Sequence, residues 1–150
     1  PRTEAPRPPP QEQPRQPPAP TADLPQDRWD RRDIGMMEGC WERVSNMRVV
    51  NRQSGAVRQV RSWRMCFDGA GAGQQSLTMT DGSVCEGPVR TRFAPDGKLI
   101  IEDEANLPCS NDSFVQRAVN ECTRASDTEA DCVGHEPEGV GRDIRAKFRR

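Results

Sequence analysis

The sequence is short of the material from which a large core is built. Only 33% of its 150 residues are apolar and 5% aromatic, against a usual apolar share of about 45–50%. That deficit excludes a chain packed throughout its length. No apolar run approaches the roughly 18 residues that a membrane-crossing helix needs, so no direct membrane span is expected. His135 is the sole histidine, and no serine or cysteine nucleophile motif accompanies it, which leaves triad chemistry without support. The six cysteines include no Cys-x-x-Cys pair, being spaced 26, 19, 24, 13 and 10 apart, which argues against a zinc site. Cys132 and His135 have ligand-like spacing, but no second pair completes a set. Neither a metal nor another cofactor is expected. Charge of one sign is lacking too. With 22 basic and 23 acidic residues the net charge is −1, which excludes bulk attraction to nucleic acid or anionic lipid.

What the chain does have is proline at one end and cysteine in the rest. Ten of the 14 prolines fall within the first 25 residues. Residues 1–28 are expected to form a disordered, proline-rich tether, because almost nothing there can be buried to offset the entropy of ordering. Such a segment samples polyproline II and spaces its ends by about 3 Å per residue. The rival reading is a docking ligand, on the Pro-x-x-Pro spacings at Pro6–Pro9, Pro14–Pro17 and Pro17–Pro20. Residues 29–38 read as a transition segment that forms a helical turn or lays Trp29 against the body. Residues 39–150 are the folded domain. Its even cysteine count and poor core favour three disulfides over metal ligation or free thiols. This implies an extracytoplasmic setting, periplasmic or secreted, with an export signal or an anchoring segment upstream of Pro1.

From Gly39 onward the pattern alternates between strand and turn. Expected strands are 41–50, 57–67, 74–80, 84–93, 98–103, 113–123, 130–135 and 143–149. Asp81-Gly82 and Pro95-Asp96-Gly97 are strong hairpin turns, and Pro88 suggests a bulge or an edge. Eight short strands with short links describe an all-β fold: a compact antiparallel up-and-down barrel or a barrel-like sandwich. Each strong turn, taken as a hairpin centre, brings two cysteines near each other. The pairs are Cys40–Cys66, Cys85–Cys109 and Cys122–Cys132, out of 15 possible pairings. A barrel can also bridge strands distant in sequence.

Few residues hint at a site. Arg61 is in phase with Val57, Trp63 and Met65; if that face points inward, Arg61 and Trp63 line a barrel interior able to take a small apolar or anionic ligand. The acidic run Glu102-Asp103-Glu104 lacks the ligand spacing of a calcium loop and reads as a solvated loop. Residues 42–64 carry six arginines against one acid, and residues 101–143 carry eleven acids against three arginines. Such polarity serves either internal charge pairing or the steering of a charged partner.

Gly39-Cys40-Trp41 at the start of the first strand resembles the Gly-x-Trp signature of lipocalin-like barrels. That resemblance implies a tryptophan closing one end under an arginine of the last strand, for which Arg145 and Arg149 are the candidates. The stretches GCW, MCFDGAGAG, DGSVCEGPV, GKLIIED and LPCS, with the terminal basic strand, resemble the C-terminal module of bacterial SrfA-type proteins. That family is virulence-associated without defined chemistry, so it implies no catalytic residue. The resulting expectation is a non-catalytic domain that binds a protein or cell-envelope partner. The alternatives are a lipocalin-like small-molecule carrier and, third, a hydrolase of undefined chemistry.

Overall fold

A computed structural model describes residues 23–44, 47–50, 57–139 and 143–150, with isolated positions 3, 5 and 6, and the backbone alone at 47–50 and 57–58. The tether expected over residues 1–28 lies outside the described residues for most of its length. Its last part does not. Leu24 is fully buried and Gln26–Asp30 forms a short helix, α1, so residues 24–28 pack with the body rather than belonging to the tether.

Eight strands close an antiparallel barrel. They are β1 (Gly39–Arg43), β3 (Val57–Phe67), β4 (Ala72–Met79), β5 (Val84–Phe93), β6 (Leu99–Asp103), β9 (Val119–Arg124), β10 (Glu129–His135) and β11 (Ile144–Arg149). Each pairs with its neighbour in that order, and β1 closes the circle by pairing with both β3 and β11. A further strand, β2 (Met47–Val50), continues along β3 beyond β1, so the expected strand over 41–50 exists in two pieces. A small hairpin of β7 (Leu107–Pro108) and β8 (Phe114–Val115) occupies the link from β6 to β9. Alternation is strict where it is clearest: Cys85, Gly87, Val89 and Thr91 of β5 are buried and Glu86, Pro88, Arg90 and Arg92 exposed. This period-two burial is what fills a closed barrel, and Trp41, Met65, Leu77, Met79 and Leu99 sit fully buried inside.

The turns work by the chemistry their residues suggest. Gly82 and Gly97 adopt φ of +88° and +89°, which glycine reaches without penalty. Asp81 and Asp96 each accept, through Oδ1, the backbone N–H two residues on, at 2.8 Å from Ser83 and 3.0 Å from Lys98. The cysteines follow the hairpins. Cys40 faces Cys66, Cys122 faces Cys132 and Cys85 faces Cys109 across their ladders, and all three pairs are bonded.

Three sequence expectations need correction. First, Arg61 does not face the interior. The β3–β4 register shifts between Val60 and Ser62, so Val60 is buried and Arg61 is exposed; the extra residue of a bulge turns Arg61 to the other face. Second, that is where the bulge falls, whereas Pro88 pairs with Gln74 in an unbroken register between two other strands. Third, the strand expected over 113–123 is interrupted between β8 and β9 at residues 116–118.

Candidate functional site

The two ends of the barrel differ. At one end the chain before β1 forms a plug. Leu24, Trp29, and Met36 and Met37 of a 3-10 turn (η1, Ile34–Met37) are buried, each burial contributing about 1.5–3 kcal/mol. Trp29 meets Phe93 edge to face at 5.6 Å. Arginines tie the plug to the rim: Arg124 Nε donates to the Leu24 carbonyl at 2.8 Å, Arg32 to that of Pro95 at 2.6 Å, and Arg150 to that of Met36 at 2.7 Å. Arg150 also lies 4.7 Å over the Trp41 ring, whose indole N–H donates to the Met37 carbonyl at 2.9 Å. The tryptophan therefore sits at a closed end under an arginine, but the arginine is Arg150. Arg145 and Arg149 point outward and are exposed.

At the other end, between β6, β9, β10 and β11 and under the β7–β8 hairpin, is a cavity of about 50 Å³. Its inner part is polar. The Trp63 indole N–H donates to Gln75 Oε1 at 2.9 Å. An indole can only donate, so this bond fixes the amide orientation and turns Gln75 Nε2 toward Asp103, to which it donates. The second carboxylate oxygen of Asp103 accepts the Ala118 backbone N–H at 3.0 Å. This bond lies where the strand expected over 113–123 is broken, so the side chain replaces a ladder acceptor. Asp103 is 3% exposed. Burial pushes its carboxyl up to about 6, against the hydrogen bonds from Gln75 and Ala118 and the charge of Arg117, which favour the ionised form.

Asn120 lies diagonally across the β6–β9 pair from Asp103, two pairs along the ladder and on the same face. It is 3% exposed, and its Nδ2 has no hydrogen-bond partner among the described residues. Its Oδ1 lies against Gly134, where an added Cβ would come within 2.5 Å. Leu77, Leu107, Val115, Ile144 and Ala146 form the apolar wall, with Gln116, His135 and Glu136 at the rim. Arg117 braces the link beside it, donating to Glu102 and Glu138 at 3.0 Å each. That hydrogen bond holds the Glu138 carboxyl below its usual range. The acidic run thus divides by strand phase: Asp103 turns inward, while Glu102 pairs with Arg117 and Glu104 with Arg90 outside.

Of the residues singled out by sequence, Trp63 lines this cavity, Trp41 belongs to the plugged end, and Arg61, Arg145 and Arg149 belong to neither. Arg43, in phase with Trp41, is the arginine that turns inward on β1. Its Nη2 donates to the Val60 carbonyl at 2.9 Å, while its Nε and Nη1 are buried without a partner among the described residues, and burial lowers its pKa. Gln75, Asp103 and Asn120 were missed as site residues. The signal was their phase, since each is two or four residues from an inward apolar neighbour: Leu77 and Met79, Leu99 and Ile101, and Cys122. Side chains in the arginine-rich stretch at 48, 52 and 58 lie outside the described residues. Two wider clefts, about 400 and 430 Å³, are open hollows on the outer surface.

No protein-family model matches the sequence, and no curated protein matches it. A solved structure to which the chain is similar is a de novo designed fluorescence-activating β-barrel. It is 16% identical, with a TM-score of 0.49, over 79% of this chain and 97% of that one.

Proposed function

We propose that this chain is a non-catalytic, extracytoplasmic binding module that presents the unplugged end of its barrel to a protein or cell-envelope partner. The observation that carries the reading is the position of the plug. Leu24 and Arg150 both lie at the closed end, so the cavity and the longest link, residues 104–118, lie at the opposite end from the segment that leads into the fold. Three disulfides are typical of oxidising environments outside the cytoplasm and support a periplasmic or secreted location. Among the described residues, no helix is long and apolar enough to cross a membrane. The SrfA-type and lipocalin-like resemblances are compatible with presentation of this kind.

The cavity size weighs against the carrier alternative. Sites for drug-sized ligands occupy about 300–1,000 Å³, and this interior is filled by Trp41, Met65, Met79 and Leu99 down to about 50 Å³. A photo-crosslinking amino acid placed at Gln116, at the cavity rim, should trap a discrete partner when the full chain is expressed in its own cells. The same group at Lys98, on the plugged side, should not. Equal trapping from both ends, or one-to-one uptake of a fatty acid followed by tryptophan fluorescence, would sink the reading.

A further inference from the structure

The geometry points to the mouth cavity as a binding site for one aliphatic hydroxyl group, which donates to Asp103 and accepts from Asn120 Nδ2; this rests on the reading of the barrel as a binding module. A buried donor without an acceptor costs about 1–3 kcal/mol, and Asn120 Nδ2 is such a donor, on a residue that lines a cavity in a well-filled barrel. Asn120 Oδ1 lies against Gly134, where an added Cβ would meet it at 2.5 Å. Asp103 accepts one hydrogen bond at each oxygen, and a carboxylate oxygen has capacity for a second. The inner part of the cavity therefore offers one donor and one acceptor.

Only some chemistries answer both. An ammonium group would satisfy Asp103 but turn donors toward Asn120 Nδ2. A carboxylate would satisfy Asn120 but set its charge against that of Asp103. A hydroxyl donates one hydrogen bond and accepts another, and its hydrocarbon stem meets Leu77, Leu107, Val115 and Ile144. At about 10–15 Å³ per water-sized volume, the cavity of about 50 Å³ takes roughly four non-hydrogen atoms. That size fits a short alcohol, the hydroxylated end of a larger molecule, or the side chain of a threonine on a partner.

The test uses the full oxidised chain, labelled with nitrogen-15, titrated with 1-propanol, n-propylammonium and propionate. The Trp63 indole and Asn120 side-chain amide resonances should move saturably with 1-propanol. A dissociation constant on the order of 1 mM is expected, which lies within the ceiling on binding energy per atom for so small a ligand. The two charged analogues should bind at least about tenfold more weakly. Asn120→Leu keeps the number and branching of the side-chain heavy atoms and removes the unpaired donor, so the variant, once shown to be folded by its amide spectrum, should lose propanol affinity by about tenfold. N-acetylthreonine methylamide separates the sources. Tighter binding than propanol assigns the hydroxyl to a partner's side chain, and weaker binding assigns it to a free alcohol. Shifts that never saturate, preference for either charged analogue, unchanged affinity in Asn120→Leu, or a crystal soaked in propanol that holds only water at Asn120 would each overturn the proposal. If these fail while crosslinking at Gln116 succeeds, the hydroxyl chemistry falls and the presentation reading stands.

Discussion

Asp103 stands where the inner face of β6 calls for an apolar side chain, following Leu99 and Ile101. It is tolerated because Gln75 and Ala118 supply donors, yet burial still raises its carboxyl from 3.8 to about 6. A folded-state value above the unfolded one means that the folded protein holds a proton the unfolded chain has released. The stability linked to that proton is fully present below about 3.8 and is lost as pH rises through about 6. A shift of this size corresponds to about 3 kcal/mol. Asp33 and Glu138, held low by Arg28 and Arg117, act in the opposite sense, but only at lower pH. Urea unfolding at about pH 7.5 and about pH 4.5 should therefore show wild type gaining stability on acidification relative to Asp103→Asn, by an amount of this order. The variant is also expected to be less stable at both pH values, because the introduced amide sets a donor against Gln75 or Ala118. Parallel pH profiles for the two proteins would rule out a raised carboxyl.

β1 is the strand on which closure depends; its ladder and disulfide to β3 hold one side firmly, and its other side is the weaker. Its registered pairing with β11 is short, Glu42 with Arg149 and Arg43 with Phe148. Arg150 reinforces it by covering Trp41 and reaching the Met36 carbonyl. Arg150→Ala should cost about 1–2 kcal/mol, from the cation–π contact and the charged hydrogen bond together. Amide exchange at Glu42 and Val44 should quicken, while exchange in the β9–β10 hairpin stays as it was; equal acceleration in both places would show that Arg150 does not act on this seam. The sequence made the hairpins legible because Asp81-Gly82 and Asp96-Gly97 impose turns locally, and alternation then set which cysteines face each other. It concealed what depends on neighbours far along the chain. The bulge at Arg61 is a matter of β3–β4 register, and the arginine over Trp41 is Arg150 because the last strand ends one residue short of it. Asp103 was hidden among Glu102 and Glu104, where composition reads as solvent and only the strand phase reads as interior. Gln75 and Asn120 were hidden likewise, since a polar residue on an inner face gains its meaning from Trp63 and the cavity opposite it.

Across the whole molecule the three disulfides divide the barrel into consecutive stitched pieces. Cys40–Cys66 ties β1 to β3, Cys85–Cys109 ties β5 to the link that covers the cavity, and Cys122–Cys132 ties β9 to β10. None crosses from β1 to β11, so the first-to-last seam depends on the ladder, the plug and Arg150. Ring size sets how much each bridge restricts the unfolded chain. The loop-entropy relation gives about 2.7 kcal/mol for the separation of 10 and about 3.5 kcal/mol for the separation of 26. Their combined effect rivals the whole stability of a small domain, about 5–15 kcal/mol, in a chain whose apolar share is 33%. Reduction is therefore expected to unfold the barrel rather than loosen it. In excess dithiothreitol, near-ultraviolet circular dichroism at about 25 °C should collapse, or the melting temperature should fall by tens of degrees, given about 4 °C per kcal/mol for a domain between the small and medium size classes. Replacing Cys40 and Cys66 together by serine should lower the melting temperature more than replacing Cys122 and Cys132, following the ring sizes. A reduced protein that melts where the oxidised one does would show that burial alone holds the barrel, and the disulfides would then need another explanation.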